Sequence, residues 1–187
     1  MLHTLSYAIA VSIMLTVKAK YVPMHRLFTQ TGCRFLWLSV LVLVTDQYTK
    51  ALVLENIELY QSIQILPFFN LTHVYNYGAA FSFLHDAGGW QRWFFTIIAF
   101  AVSALVLWWL KQTTKQQIML PIAFSLIVGG AIGNAFDRLV YGYVVDFLVL
   151  YYQDWYWPAF NVADSAICIG AVLLIIDMFK NKEERHG

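Results

Sequence analysis

Four apolar stretches, each about 20 residues long, leave this chain few folds to choose from. They run over roughly 35–54 (FLWLSVLVLVTDQYTKALVL), 91–110 (QRWFFTIIAFAVSALVLWWL), 118–137 (ending GNAFD) and 160–179 (FNVADSAICIGAVLLIIDMF). A helix needs ~20 mostly apolar residues to cross ~30 Å of hydrocarbon, so each stretch reads as a membrane span. Composition agrees. Only 12% of the 187 residues are charged and 60% are hydrophobic, against ~25% charged in an ordinary soluble domain. The expected fold is an all-α polytopic membrane protein: four transmembrane helices, a small extracytoplasmic β-sheet and a second outer loop. The formal net charge of +1 says little about partners, and no nucleic acid is expected.

Where Lys and Arg fall sets the orientation. With the N-terminus in the cytoplasm, Lys18, Lys20, Arg26, Arg34, Lys111, Lys115, Lys180, Lys182 and Arg185 lie inside, and only Lys50, Arg92 and Arg138 lie on or near the outer side. That is the positive-inside pattern. Both termini are then cytoplasmic, and the loops at about 55–90 and 138–159 face outward. The first loop mixes β-branched and aromatic residues with Pro67, Asn76 and Gly78, which predicts a small sheet on the outer membrane surface. The second carries YYQDWYWPAF, whose rings suit the headgroup layer.

Residues 5–17 (LSYAIAVSIMLTV) are apolar but too short to span, and Lys18 and Lys20 follow rather than precede them, unlike a secretory signal. Residues 1–23 read as an extension without function before a native start at Met24; the alternative is a helix lying on the membrane surface. Residues 24–180 form the membrane domain and 181–187 a cytoplasmic tail. Cys33 and Cys168 read as small buried hydrophobes, and no apolar stretch directly precedes Cys33 to mark it for lipid attachment.

The polar residues are the anomaly. The stretch GGAIGNAFDRLVYGYVVDF, residues 129–147, begins in apolar sequence yet holds two aspartates, an asparagine and an arginine. Asp46 lies about 16 Å up the first span at 1.5 Å per residue, with Lys50 one turn above. The third span delivers Asn134, Asp137 and Arg138 at its outer end. Asn161 and Asp164 start the fourth, and Asp146 stands in the loop between. All converge on the outer boundary, and charge within a span usually serves function. Structural explanations exist for several. Asp46 and Lys50 suit an i,i+4 pair. Asp137 and Arg138 could anchor a helix end. Asn161 and Asp164 fit a capping box. Gly129, Gly130 and Gly133 suit close helix packing. Asp146, inside VVDFLVL, has no such account, and Asp177 reads as an ordinary interfacial residue.

Several carboxylates without a good nucleophile point to one chemistry. The serines are scattered, and His3, His25, His73, His85 and His186 show no metal-ligand spacing. What remains is two aspartates sharing a proton around a water, one drawing a proton from it and the other donating to a carbonyl oxygen. Asp146 and Asp164 are the natural pair. Asp164, at the positive end of a helix dipole, is expected to activate the water. Asp146, among Val144, Val145, Phe147 and Leu148, is expected to hold the proton.

DQYTK (46–50), NYGAAFSFL (76–84), GGAIGNAFDRLVYGYVVDF (129–147) and FNVADSAI (160–167) together resemble, in order, the sequence boxes of bacterial lipoprotein signal peptidase, or signal peptidase II. The resemblance covers about residues 26–180. It implies an aspartic endopeptidase of the cytoplasmic (inner) membrane that cuts prolipoproteins just before a diacylglyceryl-modified cysteine. By resemblance, Asp146 and Asp164 are the catalytic pair, and Asn76, Gly78, Asn134, Arg138 and Asn161 line the substrate pocket. Asp46, Lys50, Asp137, Gly130 and Ala163 support it, and the first outer loop forms a β-cradle. Neither metal nor organic cofactor is implied. The implied partners are the lipidated prolipoprotein and membrane lipid. The enzyme is expected to be a monomer open to inhibition by globomycin-type cyclic peptides. Two rivals carry different expectations. A small proton-coupled transporter would string its aspartates along a path through the membrane, and a non-enzymatic scaffold gives no reason for Asp146.

Overall fold

The structure, a computed structural model, describes residues 24–78 and 89–183. The extension 1–23, residues 79–84 of the second box and the end of the tail lie outside the described residues. A short helix α1 (Met24–Gln30) and a 3₁₀ turn (Gly32–Phe35) lead into α2 (Leu36–Asn56). The other helices are α3 (Trp90–Leu110), α4 (Met119–Val140) and α5 (Val162–Glu183). Helices α2 to α5 supply four candidate membrane spans within about three residues of the predicted ends.

The spans are not equivalent. In α4, 61% of the span is buried inside the protein, against 17–22% in the other three. Helices α2, α3 and α5 all pack on α4, so it is the hub and they turn apolar faces outward. Small residues let them approach. A Cβ on Gly130 would run into the Ala163 carbonyl and Ile167 of α5, and one on Gly129 would meet the backbone of Ser39 in α2 at 2.8 Å. The packing expected of these glycines is present. Cys33 is buried as expected, but Cys168 is exposed on α5; its helix position faces away from α4, so it packs against no core.

Four antiparallel strands complete the fold in the order β1-β2-β3-β4: Ser62–Leu66, Phe69–Asn76, Val144–Tyr152 and Trp155–Tyr156. This corrects the expectation for the second outer segment, which is half of the sheet rather than a separate loop. Asp146 therefore sits on a strand, not in a loop. The sheet rests on the end of α2, where Val53 and Ile57 pack against Val145 and Phe147. That contact explains the strand. The run VVDFLVL buries Val145 and Phe147 on one face and turns Asp146 to the other. Val74 pairs with Asp146 and Asn76 with Val144, after a register shift between Leu71 and Val74.

Candidate active site

Lys50 anchors the polar cluster. Its Nζ lies 2.7 Å from Asp46 Oδ2 and 2.8 Å from Asp137 Oδ2, with all three side chains buried. It also donates to Asn134 Oδ1 at 3.1 Å. One ammonium and two carboxylates at this depth would be unstable without further donors, and the backbone supplies them. Asp46 Oδ1 accepts the N–H of Ala163 at the start of α5, at 2.9 Å. Asp137 Oδ2 accepts the N–H of Val145 on β3, at 3.3 Å. Gln47 Nε2 donates to Asp137 Oδ1 at 2.7 Å and to Asp46 Oδ2 at 3.2 Å. The expected Asp46–Lys50 pair is thus part of a larger knot that ties α2 to α4, α5 and β3, which carry Asn134, Arg138, Asp146, Asn161 and Asp164.

Asp146 and Asp164 stand on those tied elements. Asn161 and Asp164 form the expected capping box. Asp164 N donates to Asn161 Oδ1 at 2.9 Å, and Asn161 N donates to Asp164 Oδ2 at 3.3 Å. Two asparagine side chains then link the carboxylates. Asn134 Nδ2 donates to Asp164 Oδ1 at 2.7 Å, Asn161 Nδ2 to Asp146 Oδ1 at 2.7 Å, and Asn161 Nδ2 also reaches Asn134 Oδ1 at 3.2 Å. Asn76 completes the set from β2, donating Nδ2 to Asp146 Oδ2 at 2.9 Å. It sits diagonally across the strand pair from Asp146, on the same face.

Burial dominates the electrostatics of Asp146. Loss of solvent, and then the nearby charge of Asp164, push its pKa up to about 7; the Asn76 and Asn161 hydrogen bonds and the charge of Lys50 oppose the rise. A carboxyl that keeps its proton near neutrality beside a second carboxylate is the arrangement expected from the apolar run around it.

Arg138 and Gly78 flank this pair. The Arg138 guanidinium is half-buried and donates Nη1 to Asn134 O at 3.2 Å. Gly78 follows β2 with φ +133°, and its N–H donates to Asn76 Oδ1 at 2.9 Å. The structure therefore brings together every residue singled out from the sequence: Asp46, Lys50, Asn76, Gly78, Gly130, Asn134, Asp137, Arg138, Asp146, Asn161, Ala163 and Asp164. Among the described residues, no group of three or more His, Cys, Asp or Glu side chains is placed so that it could hold a metal ion. Sequence reasoning missed two members. Gln47 lies inside the first box, but its partner Asp137 is 90 residues away in the chain. Phe95, whose ring centroid lies 5.3 Å from the Arg138 guanidinium carbon, belongs to none of the boxes.

Comparison with known proteins shows the family. The family model described as Signal peptidase (SPase) II matches residues 38–180. A lipoprotein signal peptidase of Pseudoalteromonas atlantica is 72% identical over 160 residues, 86% of this chain and 98% of that protein. One from Alteromonas mediterranea is 63% identical over 88% of this chain and 92% of its own length. A bacterial membrane enzyme solved by the in meso method at 2.3 Å is 31% identical, with a TM-score of 0.73 over 81% of this chain and 90% of that one. A second such structure, at 1.9 Å, gives a TM-score of 0.70. The chain belongs to the signal peptidase II family.

Proposed function

We propose that this protein is a membrane aspartic endopeptidase that removes the signal peptide of prolipoproteins by cutting before the diacylglyceryl-modified cysteine. One observation carries the assignment of roles: Asp146 and Asp164 share a bridge of two asparagines, and Asp146 is poised to keep its proton at neutral pH. In this reading Asp164, ionised, takes a proton from a water whose oxygen attacks the scissile carbonyl carbon. Asp146 gives its proton to the carbonyl oxygen. The tetrahedral adduct collapses as a proton passes to the departing cysteine nitrogen, and the carboxyls return to their starting state. Asn76, Asn134 and Asn161 hold the two carboxyls in place. Arg138 and the backbone at Gly78 meet the substrate chain. The knot of Asp46, Lys50 and Asp137, together with Gly130 and Ala163 at the α4–α5 contact, keeps the frame rigid.

The charge pattern supports an inner-membrane setting with both termini cytoplasmic. Arg34, Lys111, Lys115 and Lys180 cluster at the helix ends opposite the sheet, which leaves the active site at the outer face. A cysteine bearing acyl chains sits where tails meet headgroups, the level of the helix ends that carry Asp164 and Arg138. Substrate then enters sideways from the bilayer. Every group invoked comes from one chain, so a monomer suffices. Residues 24–180 are the working unit, and globomycin-type peptides would compete for the same pocket. The relay alternative draws no support, since the site carboxylates gather in one knot rather than along a path. The direct test is incubation of the purified protein with diacylglyceryl-modified prolipoprotein, read as a signal-peptide shift on a gel. Absence of cleavage by folded protein overturns the assignment, and proton flux in liposomes without cleavage would favour the transporter.

A further inference from the structure

The first turns of α3 carry none of the site's charged or amide groups, yet they meet the site at two points. Phe95 is half-buried, and the Arg138 guanidinium carbon lies 5.3 Å from the centroid of its ring. The same ring closes against Gly78, where a Cβ would stand 2.7 Å from two ring carbons. Three residues earlier, and so on the same helix face, Arg92 donates Nη2 to the carbonyl of Leu139 at 2.7 Å, the residue after Arg138. That bond fills a last-turn acceptor of α4 and puts a cation at the negative end of its dipole. The pair grips the end of α4 from outside the polar knot.

Arg138 has need of such a grip. Its Nη1 bond to Asn134 O is 3.2 Å long, and its Nε is buried without a hydrogen-bond partner among the described residues. A guanidinium held at one corner can swing. An aromatic face beneath it restricts that motion, because the ring's negative face attracts the cation and its flat surface matches the planar fork.

We propose that Phe95 is a positioning residue: its ring holds the Arg138 guanidinium in the orientation that presents its free donors to the substrate, and it braces the Gly78 backbone at the same time. This rests on the reading that Arg138 contacts substrate. A leucine at 95 would keep the site apolar but offer no ring face. Fluorinated phenylalanines keep the shape and progressively weaken the face's negative charge.

The test measures kcat/KM on lipidated prolipoprotein, together with thermal unfolding, for the full-length protein carrying Phe95→Leu, a series of fluorinated phenylalanines at 95, or Arg138→Gln. Phe95→Leu is expected to lower kcat/KM roughly 3- to 30-fold. Activity should fall stepwise with fluorination at an unchanged unfolding temperature, which a packing role would not produce. If Arg138→Gln is impaired but Phe95→Leu or the fluorinated series matches wild type, the inference is overturned and the pocket reading stands. If Arg138→Gln itself cleaves at the wild-type rate, the pocket reading falls and takes the inference with it.

Discussion

A carboxyl with a pKa near 7 is costly at alkaline pH and useful at neutral pH, and Asp146 carries both consequences. Asp146→Asn and Asp164→Asn keep side-chain shape but cannot exchange the proton. Each should lower turnover by at least the ~10²- to 10⁴-fold typical of a general acid or base, with the protein still folded in the membrane; near wild-type turnover in either variant would remove that residue from the pair. The pH profile follows from the protonation state. Asp146 holds its proton below about 7, so kcat/KM should decline as pH rises through that value. Stability moves with it. The folded pKa lies above the unfolded ~3.9, so neutral Asp146 contributes its full share below pH ~4 and loses it as pH climbs to about 7. Asp146→Asn cannot ionise. Its unfolding temperature should gain on wild type between pH ~4 and about 7 and level off above, and a constant difference between pH ~4 and about 7 would contradict the burial argument. The capping box and the Asp46–Lys50 pair were legible in the sequence because both lie within one turn of helix. The partners of Asp146 were not, because Asn76 and Asn161 reach it only through strand register and tertiary packing.

Among the elements, α2, α4, α5 and β3 meet at Lys50 rather than at the two proposed catalytic aspartates. Removing that ammonium leaves Asp46 and Asp137 buried side by side with no cation between them. Breaking a buried ion pair by deleting one partner costs about 3–5 kcal/mol. Lys50→Met should therefore lower the unfolding temperature in detergent sharply, and far more than Asp146→Asn, although Lys50 touches no substrate in the proposed mechanism. Equal thermal stability of the two variants would show that amide donors such as Gln47 neutralise the knot without the lysine. Element type was read correctly wherever hydrophobic length decided it, as in the four spans. It was misread at β3. A seven-residue apolar run next to turn residues can be loop or strand, and what makes it a strand is pairing with β2, some 70 residues earlier in the chain. Phe95 escaped notice for a related reason. One ring among 14 phenylalanines in an apolar span carries no local mark of the cation it faces.

At the scale of the whole molecule, the sheet and the helix ends enclose the polar knot, while in three of the four spans fewer than a quarter of the residues are buried within the protein. Every site residue lies beyond Met24, so a chain starting there should support growth of cells lacking their own prolipoprotein peptidase as well as the full chain does; failure at normal membrane levels would give residues 1–23 a role. The same layout constrains the substrate. Asp164 opens α5 and Arg138 closes α4, so the scissile bond must come to the layer where helix ends meet headgroups. A signal peptide alone can slide along the membrane normal, and its cleavage point would visit that layer only part of the time. A cysteine with two acyl chains cannot slide freely, because withdrawing each buried CH₂ costs ~0.8 kcal/mol. The lipid thus fixes the depth of the bond before any contact with the protein forms, and lateral entry delivers it at the level of the carboxyl pair. The diacylglyceryl group should then act mainly on kcat/KM, with modified prolipoprotein cleaved at least tenfold faster than the unmodified form at equal surface density in the same vesicles, a factor that ~1.4 kcal/mol of differential positioning supplies. Equal rates for the two forms would mean that the protein, not the bilayer, sets the depth of the bond.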